Sequence, residues 1–217
     1  MAWGDALAIE LRAIIGEAVA GNWSDAVLTA ILKRAETDMV LLGRLYHGTF
    51  AQNIVAGGTG LYDIHADCLQ IERVSAFGVP LFKKSTSQLI DIYGEEWCIE
   101  TGAPVYYIIE GSQVRLVPIS DTAETTTSIA TGLVMWGIKR PDQSSTVWTP
   151  EKWYDTLLDG AAAKAYKKDP ANVDRFEYFQ SRYLDGIDNI VSQNKDLYTG
   201  LAPRNTTPDK LAAVWDD

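Results

Sequence analysis

The sequence predicts an α+β fold: a bundle of about four helices from both chain ends, an inserted antiparallel β domain, and an extended C-terminal tail. Three observations lead there. Apolar residues recur at helical spacing in residues 1–47 and again in residues 149–195. Across residues 48–148 that period fades, and β-branched and aromatic residues alternate with Gly, Pro, Ser and Thr punctuation. Residues 196–217 hold Gly200, Pro203, Pro208 and too few apolar side chains to fold alone.

In chain order, Leu7, Leu11, Ile14, Ile15 and Ala18 form one stripe, closed by Gly21-Asn22. Ser24 then caps a second helix with Leu28, Ile31, Leu32, Ala35, Met39 and Leu42 on one face. In the central region, Val105–Ile109 and Val114–Val117 flank Glu110-Gly-Ser-Gln113, the pattern of a hairpin with Gly111 at a positive-φ turn position. Phe50–Val55, Leu69–Ala76 and Ser128–Ile138 are the other strand candidates, for five or six short strands in all. Ile90–Trp97 reads as a short helical turn or a loop. Thr149-Pro150 is a helix start, with Tyr154, Leu157, Leu158, Ala161 and Ala165 as its stripe. Asp169-Pro170 opens a last helix carrying Val173, Phe176, Phe179, Tyr183, Ile187, Ile190 and Val191.

Composition narrows the function. A chain of 217 residues can bury about 70% of its unfolded surface, so its core needs no staple. The net charge of −10 argues against nonspecific binding to nucleic acid or anionic membranes, both of which need basic surface. Two cysteines, Cys68 and Cys98, and two histidines, His47 and His65, leave little for zinc or disulfide chemistry. No run of eighteen apolar residues is present. The greasy stretch from Ala6 to Ala20 is broken by Glu10, Arg12 and Glu17 and follows Asp5, so an amphipathic helix is expected rather than a signal peptide.

Three motifs invite chemistry. On a strand, Asp63, His65 and Asp67 would share one face as an oxygen and nitrogen metal set, with Cys68 beside them. No second cluster adds ligands, so a polar strand end and loop is expected, with no metal bound. Gly57-Gly-Thr-Gly60 lacks the lysine and the following helix of a phosphate loop and reads as a flexible hairpin tip. Glu95 and Glu96 beside Trp97, with Glu100 further on, suggest a glycosidase acid, yet adjacent carboxylates cannot face each other across a sugar bond. A solvated loop is expected. No Gly-x-Ser-x-Gly elbow or reactive-thiol pattern is present, so no catalytic residue and no cofactor are expected. Trp136, Trp148, Trp153 and Tyr154 bracket the return from β region to helix, where packing is their expected role. Trp215 lies in a segment with no core of its own and reads as an anchor for a partner's pocket.

The stretch Gly60-Leu-Tyr-Asp-Ile-His-Ala-Asp-Cys-Leu-Gln-Ile-Glu-Arg-Val74 resembles a signature of the tail tubular protein A, or gatekeeper, family. These are head-to-tail adaptors of short-tailed bacteriophages, and His65 stands where that family usually has Pro. Gly102-Ala-Pro-Val-Tyr106, the Ile109-Glu-Gly111 hairpin, the strand ending at Pro118 and the Trp153–Tyr166 helix extend the likeness, in the family's order across residues 24–190. The resemblance implies a structural protein, not an enzyme: a ring of twelve copies below the portal, with tail or nozzle proteins attached beneath. Double-stranded DNA would pass through its lumen without specific binding, as suits an acidic chain. It implies no membrane partner, assembly in the host bacterial cytoplasm, and a place in the neck of the virion. On this reading residues 196–217 order on the portal by burying Leu197, Leu201, Leu211, Val214 and Trp215. The competing readings are a tail-associated glycan- or receptor-binding module and a virion-carried cell-wall hydrolase.

Overall fold

The computed structural model of the protein describes residues 6–16, 23–124, 132–144, 147–167 and 172–193. In chain order its elements are α1 (Ala6–Ile15), α2 (Asp25–Gly43), β1 (His47–Gln52), β2 (Leu61–Asp63), β3 (Cys68–Ala76), β4 (Val79–Pro80) and β5 (Phe82–Lys83). There follow α3 (Thr86–Tyr93), β6 (Tyr106–Glu110), β7 (Gln113–Val117), β8 (Leu133–Lys139), a 3-10 turn (Glu151–Trp153), α4 (Tyr154–Lys167) and α5 (Val173–Gln193). The chain divides into two compact units, Met1–Tyr46 with Arg140–Asp217, and His47–Lys139.

In the first unit the helical stripes meet. Leu7 and Leu11 of α1, Leu28, Leu32 and Met39 of α2, Leu157 and Ala161 of α4, and Tyr183, Ile187 and Ile190 of α5 form one buried cluster. Helix α4 lies at its centre: every residue from Thr156 to Ala163 is buried. The run Gly160-Ala-Ala-Ala163 permits this, because small side chains let neighbouring helices approach closely. At Gly160 the approach is close, since a Cβ there would lie 2.6 Å from the Tyr183 ring. Gly160→Ala is therefore expected to destabilise by about 1–3 kcal/mol through overpacking, although alanine alone would favour the helix by about 1 kcal/mol. A urea midpoint that rises instead would overturn the close-contact account.

Local signals explain most helix ends. The Ser24 hydroxyl accepts the Val27 N–H and caps α2, as its position before the stripe predicts. Helix α1 stops at Ile15, followed by Gly16 at φ +77°, while Ala18, Gly21 and Asn22 lie outside the described residues. The Thr149-Pro150 expectation needs correction. Pro150 makes no side-chain cap, a 3-10 turn intervenes, and α4 begins only at Tyr154. Thr149 is committed elsewhere, to Glu36. Along α5, Tyr183, Ile187 and Ile190 are buried as the spacing predicts, whereas Val173 is exposed.

The second unit holds two four-stranded sheets, ordered β1-β8-β3-β4 and β2-β7-β6-β5. Phe50, Val74, Leu133 and Met135 from the first join Tyr62, Tyr107, Val114 and Leu116 from the second in one core. The β6–β7 hairpin forms with Glu110 opposite Gln113 and Gly111 at φ +60°, the conformation its turn position requires.

These observations correct the expected fold. A four-helix bundle with one inserted antiparallel β domain does not describe the chain, because the sheets are substantial and a fifth helix, α3, lies among the strands. The pair β5–β6 is also parallel, Phe82 opposite Tyr106. The physical reason joins both departures. Parallel neighbours need a long crossover, and residues 84–105, with α3 inside them, supply it. Helix α3 buries only Leu89, too little for a periodic signal, and its start is fixed by a Ser85–Gln88 capping box. Strands β2, β4 and β5 were missed because two or three residues carry no alternation. Of the expected strand Ser128–Ile138, residues 128–131 lie outside the described residues and β8 begins at Leu133.

Candidate functional site

The anticipated anchors Leu197, Leu201, Leu211, Val214 and Trp215 all lie outside the described residues. The other motifs have definite places. Asp63 ends β2 and accepts a hydrogen bond from the Gln113 amide at 2.8 Å. His65 and Asp67 sit in the following loop, where His65 Nδ1 accepts the Asp67 N–H at 3.1 Å and the imidazole stacks on Phe50. The three side chains thus do not share a strand face. Among the described residues no three His, Cys, Asp or Glu side chains converge on a metal position.

Gly57–Gly60 is not a hairpin tip, because β1 and β2 belong to different sheets. The loop is tied along its length: Gly57 N–H donates to Ser120, Gly60 accepts from Leu116 N–H, and Arg115 reaches the Thr59 carbonyl at 3.0 Å. Arg115 also makes a two-pronged pair with Glu110, at 2.8 and 3.0 Å, and its guanidinium lies over Trp97. Such a forked pair is worth more than a single-point contact. Glu95, Glu96 and Glu100 are exposed, while Trp97 packs against the small core of Leu89, Ile108 and Val117. Of the other tryptophans, Trp148 packs on Tyr46, and Trp136 lies beneath the Arg73 guanidinium.

The most concentrated buried polar chemistry belongs to Glu36 of α2, which is fully buried. One carboxylate oxygen accepts both the Thr149 N–H, at 2.8 Å, and the Thr149 hydroxyl, at 2.9 Å. The other accepts the Gln143 amide at 2.7 Å, and that amide also reaches the Lys33 carbonyl. A buried carboxylate is tolerable only when its lone pairs are matched. Here they hold the returning chain segment to α2. Sequence reading missed this centre, because its partners lie 107 and 113 positions away.

A second polar centre faces solvent between α1, α4 and α5. Asp159, largely buried, pairs with Arg182 Nε at 3.1 Å. Burial pushes the Asp159 carboxyl above its ordinary range, Arg182 pulls it back, and nearby Asp155 pushes it up again. Beside this pair lies a groove of about 310 Å³. Ile14 and Leu158 supply apolar walls, Tyr178 and Phe179 an aromatic one, and Glu10 and Asp155 two further carboxylates. The aromatic wall is braced by neighbours. Tyr166 stacks on Phe179 at 5.8 Å, Arg175 lies over Tyr166, and Arg182 donates to the Tyr178 hydroxyl. Exposed Tyr and Arg on a rigid helix are what protein interfaces favour.

A family model described as SU10 adaptor protein matches residues 1–207, taking in both units. The chain belongs to the SU10 adaptor protein family. Membership agrees with the resemblance to phage head-to-tail adaptors carried by the Gly60–Val74 stretch and the motifs after it. The adaptor family is structural, a connector between other phage head and tail proteins, which suggests a place in the virion. The search of curated proteins returned no match. Among the described residues of this adaptor, no helix is long and apolar enough to cross a membrane.

Proposed function

We propose that this adaptor is the ring-forming subunit of a phage neck, with twelve copies below the portal. The ring extends the DNA channel and offers the attachment site for tail proteins. The family match across residues 1–207 carries this reading. Two further features support it. The chain has two compact units, so one can pack against neighbours while the other meets a different protein. Its charge of −10 suits a conduit that must release DNA. The C-terminal segment 196–217 is the portal-binding element, through Leu197, Leu201, Leu211, Val214 and Trp215. Its ordering cost is offset by the apolar surface it buries on the partner.

Mixing the adaptor with the portal ring of its own phage and weighing the product by mass photometry tests both parts. A discrete gain of one adaptor per portal subunit is expected, as a closed cyclic assembly requires. Deleting residues 196–217 should abolish that gain while leaving the circular dichroism of the remaining chain native. Unchanged attachment after deletion would remove the segment from the portal contact. No gain by the intact chain would overturn the ring reading itself.

A further inference from the structure

The α1–α4–α5 groove has a surplus of negative charge that its own residues do not balance. Glu10, Asp155 and Asp159 bring three carboxylates against the single guanidinium of Arg182. Arg182 is already engaged with Asp159 and the Tyr178 hydroxyl. The opening between Ile14, Leu158, Tyr178 and Phe179 suits a cation on an apolar stem, favoured by the aromatic faces and by the carboxylates together.

The same chain carries such a group elsewhere in its helical unit. Arg34 is exposed on α2, with exposed Ala30 and Val27 one and two turns before it on the same side. We propose that the groove receives Arg34 of a second copy, with Val27 and Ala30 of that copy lying along its apolar wall. This rests on the ring reading above and names the contact that repeats around it. Helix α2 contributes no lining residue to the groove, so donor and acceptor surfaces are different parts of one protomer. A contact between unlike surfaces leaves one of each free on every copy, and its repetition closes a ring when the rotation permits. An arginine suits this site better than a lysine because its planar fork can meet a carboxylate while stacking on an aromatic face.

The test uses the full chain, alone and on its portal ring, with three variants weighed by mass photometry. Arg34→Glu, and Glu10→Lys with Asp155→Lys, should each raise the concentration needed for assembly at least tenfold. All three positions are exposed, so each variant is expected to fold, and circular dichroism is the check on that. Combining the three substitutions reverses both charges at once and should restore assembly to near the wild-type concentration. Assembly of Arg34→Glu at wild-type concentrations, or no restoration in the combined variant, overturns the contact while leaving the ring standing. If the wild-type chain assembles neither alone nor on the portal, the ring reading falls and the contact with it.

Discussion

Gly137→Ala is expected to break the central pairing of the β1-β8-β3-β4 sheet. In the native pairing Gly137 of β8 faces Ile71 of β3, at a register shift between Ile71 and Arg73. A Cβ at this position would lie 2.1 Å from the Gln70 carbonyl oxygen and 3.1 Å from Cys68 Sγ. The first obstacle is backbone. It cannot rotate away as a side-chain tip can, so the two strands must separate or slip. A slip of one residue would turn the buried Leu133 and Met135 positions to the other face. Overpacking of a tight core usually costs about 1–3 kcal/mol, and the lost ladder should carry this variant to the upper end of that range or beyond. Urea denaturation read by tryptophan fluorescence and circular dichroism measures it. A midpoint within error of wild type would show that β3 and β8 do not approach as described.

Glu36→Ala is expected to cost about 3 kcal/mol, because it leaves buried donors without an acceptor. Those donors are the Thr149 N–H and hydroxyl and one amide hydrogen of Gln143. Neither Gln143 nor Thr149 has the α2 carboxylate as a near sequence neighbour, so the substitution frees the returning segment rather than the helix. Glu36→Gln should cost less, since its amide oxygen can still accept from Thr149. Thr149→Val removes only one donor and should cost about 1 kcal/mol. A double-mutant cycle between Glu36→Ala and Thr149→Val isolates the coupling and should show it favourable. A destabilisation by Glu36→Ala below about 0.5 kcal/mol, a level typical of featureless surface sites, would deny the carboxylate this role.

The contrast between the two helical stripes and the small strands shows how legibility follows burial. Leu28, Leu32, Ala35 and Met39 repeat on one face of a helix of 19 residues, and all are buried. Such a repeat announces both the element and its core side. Strand β5 has two residues, both exposed, and its pairing depends on a crossover through α3. No local pattern marks it. Cysteine and histidine scarcity likewise made an absence of zinc chemistry the natural expectation from composition. The loop Gly57–Gly60 was not legible as a tether, because Arg115 lies more than fifty residues beyond it.

The groove falls on the same divide. Phe179 was visible in the apolar stripe of the last helix, but Tyr178 and Arg182 carried no signal of their own, and Glu10 and Asp155 reach them only once α1 and α4 are docked. By itself the sequence determined the four long amphipathic helices, the β6–β7 hairpin, the acidic balance and the family signature, because each is written in neighbouring residues or in composition. Only the tertiary structure decided the two-sheet arrangement, the parallel β5–β6 pair, the Glu36 centre and the groove. Each of these depends on groups brought together across tens to more than a hundred positions, where the deciding terms are backbone pairing, close approach at glycine and the matching of buried charge.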